Sequence, residues 1–103
     1  MDNTVIDSSL RTVEWKDNTV VMIDQTKLPN QLIFVTYDDY NQVADAIQNL
    51  VVRGAPAIGV SGAFGLALAS LQSKAKTKDE LISDLEKAIG KIYQNITSIY
   101  CKN

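Results

Sequence analysis

The chain predicts an α+β fold, a three-stranded antiparallel sheet followed by three helices, from three observations. Apolar and polar residues alternate over 10–16, and β-rich runs return at Thr19–Ile23 and Leu32–Tyr37. From Asp39 onward the apolar spacing changes to three and four residues, and no further strand pattern follows. Between Gly54 and Ser73 there is no charged residue, although charges are spread through most of the remaining chain.

The elements follow in order. Residues 1–9 have no clear period and read as a loose lead-in; residues 10–103 read as one domain, since 103 residues with 46% hydrophobic content suffice for a single core. Val13 and Trp15 share one face of the first strand, with Thr12, Glu14 and Lys16 on the other. Asp17-Asn18 suits a two-residue hairpin turn, because both residue types tolerate positive φ. After the strand Thr19–Ile23, the polar stretch 24–30 is a connection punctuated by Pro29, and Leu32–Tyr37 forms the third strand.

Asp38 or Asp39 caps the first helix, and Asp39 with Gln42 has the spacing of a capping box. Val43, Ala44, Ile47, Leu50 and Val51 supply its apolar face, which places its end near Val52. The second helix runs from Pro56 to about Ser73 and is apolar nearly all round, so it is expected to be the most buried. Gly59, Gly62, Ala63, Leu66, Ala69 and Ser70 form a mostly small stripe on it, where another backbone could lie closely. Lys74 and Lys76 place cations at its end, and Thr77 with Glu80 forms a capping box for a third helix reaching about Asn95. Its apolar stripe is Leu81, Leu85, Ala88, Ile89, Ile92 and Ile96, and Ser98–Asn103 shows no capping or packing logic.

Composition excludes several function classes. Charged residues are 21% and net charge is −2, with Lys and Arg scattered, so no nucleic-acid partner is expected. One Cys and no His exclude a disulfide framework and a zinc-finger pattern, and no metal-ligand cluster appears. Neither a Walker sequence nor the Rossmann glycine spacing is present. The first residues, Met1-Asp2-Asn3-Thr4, lack the basic-then-apolar pattern of a secretory signal, and a cytoplasmic location is expected. The segment Gly54–Ser73 is long enough to raise a membrane span. Its glycines and serines dilute it, and an amphipathic helix precedes it with almost no linker. A buried core helix, with no membrane partner, is the better reading.

The stretch Arg53-Gly54-Ala55-Pro56-Ala57-Ile58-Gly59 is the candidate site. Gly54 can adopt positive φ and so let one helix stop, while Pro56 suits the first turn of the next. The amides of Ala57 and Ile58 would then be orphan donors at the positive end of a helix dipole, with the Arg53 guanidinium beside them. That combination suits a phosphate. An ordinary helix–helix joint, with Arg53 capping the preceding carbonyls, explains the same residues. Among other candidates, Asp24 and Lys27 could line a cleft or simply be a polar connection. Asp38 and Asp39 could be paired acid–base groups, but capping is simpler. Trp15 reads as core or interdomain packing.

Three stretches carry a resemblance: Leu10-Arg11-Thr12-Val13-Glu14-Trp15-Lys16, the run from Val21 through Ile23-Asp24-Gln25-Thr26-Lys27-Leu28 to Pro29, and Val52-Arg53-Gly54-Ala55-Pro56-Ala57-Ile58-Gly59-Val60. They resemble the amino-terminal domain of the methylthioribose-1-phosphate isomerase family. That family is shared with ribose-1,5-bisphosphate isomerases and with regulatory subunits of a translation initiation factor's guanine-nucleotide-exchange complex. The resemblance implies the amino-terminal domain of a larger two-domain protein, an aldose–ketose isomerase of methionine salvage that uses no cofactor. It implies that Arg53, Gly54 and Ala55 contact the phosphorylated sugar substrate, and that the intact parent is a homodimer. It also implies that the catalytic Cys and Asp belong to a Rossmann-like carboxy-terminal domain, missing here, so that this chain alone is inactive. Cys101 lies in the wrong context to be that Cys, and the family's Arg-Pro-Thr segment has no counterpart in Asn95–Asn103. A non-catalytic regulatory subunit and a stand-alone interaction domain are the alternatives.

Overall fold

The computed structural model describes residues 12–100. The lead-in, Cys101 and the last residues of the tail lie outside the described residues.

Three strands, β1 (Val13–Lys16), β2 (Thr19–Ile23) and β3 (Phe34–Tyr37), form an antiparallel meander with β2 in the centre. The β1–β2 link is the expected two-residue turn: Asp17 and Asn18 sit at φ 53° and 61°, a primed geometry whose twist matches that of the strands. Register sets Val20 between Trp15 and Tyr37, and Met22 between Val13 and Val35. Because side chains alternate across a strand, these six share the face that meets the helices. Val20 and Met22 have no exposed surface. β3 starts at Phe34 rather than Leu32; the Asp24 N–H still donates to the Ile33 carbonyl in the same register, but Asp24 then caps the 3₁₀ turn Gln25–Lys27, and the partner strand ends there.

Helix α1 (Tyr40–Gln48) is capped by Asp39, whose carboxylate accepts from the Asn41 N–H at 2.8 Å. The expected box is shifted by one residue, since Gln42 accepts from the Asp38 N–H. The helix ends about four residues earlier than its apolar spacing suggests, so Gly54 is not what stops it. Leu50 takes φ 60°, and the N–H groups of Leu50 and Val51 return to the carbonyls of Ile47 and Ala46. This is the paired hydrogen-bond closure of a Schellman motif, with Leu in the place glycine usually holds. Val51 and Val52 follow as connector, and Val52 is nonetheless buried in the core.

Helix α2 (Ala55–Gln72) contacts α1, α3 and the strands β1 and β2. It is long and apolar enough to cross a membrane by length and composition alone. It is not the most buried helix, contrary to expectation. Ile58, Ser61, Gly65, Leu68 and Ala69 are its only buried residues among 18, against four of nine in α1. A helix apolar on every side still has neighbours on only part of its circumference, whereas the single stripe of α1 is fully covered. Close approach occurs at Gly65, where an added Cβ would lie 3.0 Å from Ile92 Cδ1 and 3.3 Å from Val43 Cγ1. At Gly59, within the expected small stripe, nothing lies within 4 Å.

Helix α3 (Lys78–Tyr100) runs past Asn95, and Ile96 and Ile99 pack against the core. Packing logic therefore extends further along the tail than its sequence suggested. Asn95 explains part of this: it is buried, and its amide donates to the Ala44 carbonyl at 2.7 Å, pinning α3 to α1. At the start of α3, Thr77 accepts from the Glu80 N–H, while Glu80 reaches the Lys76 N–H.

Candidate functional site

The connector from Val52 into α2 carries the residues singled out by sequence. Val52 anchors it, being 1% exposed within the core, whereas Arg53, Gly54, Ala55 and Pro56 are exposed. Gly54 caps α2 at φ 90° and ψ 134°, a backbone region that side chains with a Cβ rarely adopt. Its carbonyl accepts from the Ile58 N–H at 2.9 Å. The Ile58 amide is thus used by the helix and is not an orphan donor. The first-turn amides without a carbonyl four residues back in the helix are those of Ala55 and Ala57, with Pro56 between them contributing none.

What surrounds that helix start matters electrostatically. No side chain caps it, and no acidic residue lies in its first turn. α1 begins on the carboxylate of Asp39, and α3 has Asp79 and Glu80 in its first turn. The positive end of the α2 dipole is left without a carboxylate of its own. Arg53 stands immediately before it. The arrangement is open, cationic and rich in backbone donors, and what it can do chemically is hold an anion.

A cleft of about 720 Å³ runs beside this helix start, between β1 and the first turns of α2. Pro56, Ala57, Val60 and Phe64 form one wall, with Val13, Glu14 and Trp15 on the other. The rings of Trp15 and Phe64 are 5.8 Å apart and tilted by 49°, an aromatic contact of ordinary geometry. Arg53 and Gly54 do not line this cleft; they lie just upstream of Pro56, at its rim in sequence.

Asp24 and Lys27 have moved to a structural role. Asp24 caps the short 3₁₀ turn Gln25–Lys27, accepting from the Thr26 N–H at 2.9 Å and the Thr26 hydroxyl at 2.6 Å. The Thr26 hydroxyl bond holds the Asp24 carboxyl below the usual aspartate value, helped by the Thr26 amide and the Lys27 charge against a partial opposing effect of burial. Tyr37 is pushed above the usual phenol value, mainly by burial and also by the Asp24 charge. Neither Asp24 nor Lys27 lines the cleft. Sequence reasoning missed one tie: the Gln25 N–H donates to the Val51 carbonyl at 2.8 Å, joining this turn to the Arg53 connector. A backbone bond between two loops leaves no residue-type signal.

No family model matches the chain. Among curated proteins, it is 50% identical over 78 residues to a methylthioribose-1-phosphate isomerase of Trichlorobacter lovleyi, a match covering 76% of this chain and 22% of that protein. It is 53% identical over 74 residues to the isomerase of the same name from Koribacter versatilis, covering 72% and 21%. Among solved structures, the 5-methylthioribose 1-phosphate isomerase of Pyrococcus horikoshii superposes with a TM-score of 0.74 at 46% identity, covering 84% of this chain and 23% of that one. The translation initiation factor eIF-2B subunit delta of A. fulgidus superposes with a TM-score of 0.77 at 41% identity, covering 84% and 25%. The chain thus spans about 22% of the length of the curated relatives it matches.

Proposed function

We infer that this chain, related over 78 residues to methylthioribose-1-phosphate isomerases, is the amino-terminal, substrate-contacting part of an aldose–ketose isomerase. The reaction is the conversion of methylthioribose 1-phosphate to methylthioribulose 1-phosphate in methionine salvage, with no cofactor. The observation that carries this reading is the α2 start, where Arg53 precedes a Gly54-capped helix whose first turn holds no carboxylate. Arg53 takes the phosphate of the sugar, Gly54 sets the backbone turn, and the Ala55 amide donates to the same anion.

The chemistry itself lies elsewhere. Moving hydrogen between adjacent carbons needs an acid–base pair within about 3 Å of the reacting atoms. Among the described carboxylates, Asp24, Asp39 and Glu80 are engaged in caps and turns, and Asp84 of α3 accepts from the Ser73 hydroxyl at the end of α2. Holding a phosphate equally well in ground and transition states gives no acceleration of the chemical step. The acid–base groups are therefore assigned to a carboxy-terminal domain like the one expected in the longer relatives, in an intact protein that works as a cytoplasmic homodimer without nucleic acid or membrane. Scattered cations and the core contacts of α2 support the last two points.

A phosphate titration followed by amide NMR tests the site, with turnover measured beside a full-length relative. Ala55 and Ala57 amides should shift saturably, Arg53→Ala should abolish the shift, and turnover should be absent. Unmoved amides at saturating phosphate would remove the site, and turnover within about tenfold of the control would show that the catalytic groups are here. A second reading, a non-catalytic regulatory subunit, has the superposition on the translation-factor subunit in its favour. It predicts a full-length protein that binds phosphate sugars without converting them.

A further inference from the structure

The backbone on either side of Arg53 is clamped. Upstream, the Val51 N–H returns to the Ala46 carbonyl at 3.0 Å, and the Val51 carbonyl accepts from the Gln25 N–H at 2.8 Å. Val52 follows, sunk in the core. Downstream, the Gly54 carbonyl already accepts from the Ile58 N–H as the first acceptor of α2. Arg53 alone stands between these clamps, exposed.

Of those hydrogen bonds, only the one from Gln25 reaches in from a distant part of the chain. The turn that supplies it is itself fixed. Ile23, just before it, is buried, and the Asp24 N–H donates to the Ile33 carbonyl at 2.8 Å. The Asp24 Oδ1 atom then accepts from both the N–H and the hydroxyl of Thr26. Gln25 opens the 3₁₀ turn, so its amide has no acceptor within the turn and is available to bond outward.

We propose that Asp24 and Thr26 are positioning residues for the anion site. They set the Gln25 N–H, which through the Val51 carbonyl holds the backbone from which Arg53 and the Ala55 amide take the anion. This role rests on the phosphate-binding reading of that helix start. Binding there draws on a backbone ordered beforehand, so the ordering cost is not met at the encounter. Without the tie Arg53 is still present, but the competent arrangement is only partly populated, and apparent affinity falls by that fraction. A hydrogen bond of ordinary net strength sets the fall at about two- to tenfold.

Gln25→Pro deletes that N–H and little else. Asp24 before it is extended, at φ −75° and ψ 102°, as a residue preceding proline prefers to be, and proline suits the first position of a helical turn. Phosphate titrations followed by amide NMR compare this variant with the wild-type chain and with two others. Asp24→Ala loses the cap, whereas Asp24→Asn keeps a side-chain oxygen that can accept from Thr26. Phosphate dissociation constants should rise about two- to tenfold in Gln25→Pro and Asp24→Ala and stay near wild type in Asp24→Asn. Amide order parameters at Gly54 and Ala55 should fall in the two weakened variants before any phosphate is added. A tie that serves folding alone would lower the urea midpoint and leave the affinity where it was. Unchanged affinity in Gln25→Pro and Asp24→Ala, while the wild-type chain binds, overturns the proposal and leaves the anion site standing. A wild-type chain with no saturable shift removes the site, and the proposal with it.

Discussion

Leu50 holds a backbone conformation at φ 60° that a leucine adopts at a cost of about 1–2 kcal/mol relative to the right-handed region. Its side chain is 38% exposed, so the core gains only part of its bulk in return. Leu50→Gly removes that strain while adding about 0.5–1 kcal/mol of unfolded-chain entropy. The expected result is a net gain of up to about 1 kcal/mol, read as a higher Tm in thermal unfolding followed by circular dichroism. A lower Tm would mean that the contacts of Leu50 outweigh its backbone strain. Asp24 supplies a second test, in pH. Its folded carboxyl titrates below the unfolded value of about 3.9 because the charged form accepts from Thr26. The stability it adds is therefore present above that unfolded value and is lost as pH falls through the folded one. Asp24→Ala should lower the urea midpoint at neutral pH and approach the wild-type midpoint under strongly acidic conditions; a gap independent of pH would assign the effect to packing instead.

Glycine has two meanings within α2. Gly65 lets Ile92 of α3 and Val43 of α1 approach the helix, whereas Gly59 faces open space. Gly65→Leu should cost about 1–3 kcal/mol or more by overpacking. Gly59→Ala should stabilise by up to about 1 kcal/mol through helix propensity alone. Denaturant midpoints of the two variants moving in the same direction would contradict this division. Sequence periodicity made the strands, the hairpin turn, all three helices and the position of the Arg53 connector legible, because each follows from local alternation, spacing or turn chemistry. The contact made by Gly65 was not legible, since regular glycine spacing along a helix does not say which side a neighbour takes. The early end of α1 was hidden for a related reason. Leu50 and Val51 continue the apolar spacing, but the closing hydrogen bonds to Ala46 and Ile47 are set by tertiary position, and no glycine advertises them. At the candidate site, residue types made the helix start readable, whereas the engagement of the Ile58 amide depended on which residue opened the first turn.

At the scale of the molecule, the sheet covers one side of the helical layer and leaves its most apolar member partly bare. α2 shows Val60 beside the cleft and Leu71 near its other end, at 43% and 57% exposed, so its surroundings differ along its length. The cleft between α2 and β1 and a shallow apolar groove between α2 and α3 lie on different sides of that helix. The Arg53 connector is held from two directions: Val52 is sunk in the core, and the Val51 carbonyl is bound to the Gln25 N–H of the 3₁₀ turn. That single bond has a consequence for motion. Gln25 sits in a surface loop, where an amide ordinarily trades its proton for solvent deuterium within moments of local fraying. Here its proton is held by the Val51 carbonyl and is released when this turn and the loop preceding Arg53 separate, so its exchange rate is a clock for that separation. An anion clasped at Arg53 should slow the clock although it never touches Gln25, and deuterium uptake at this one amide would then register, from the far side of the connector, whether the clasp is occupied.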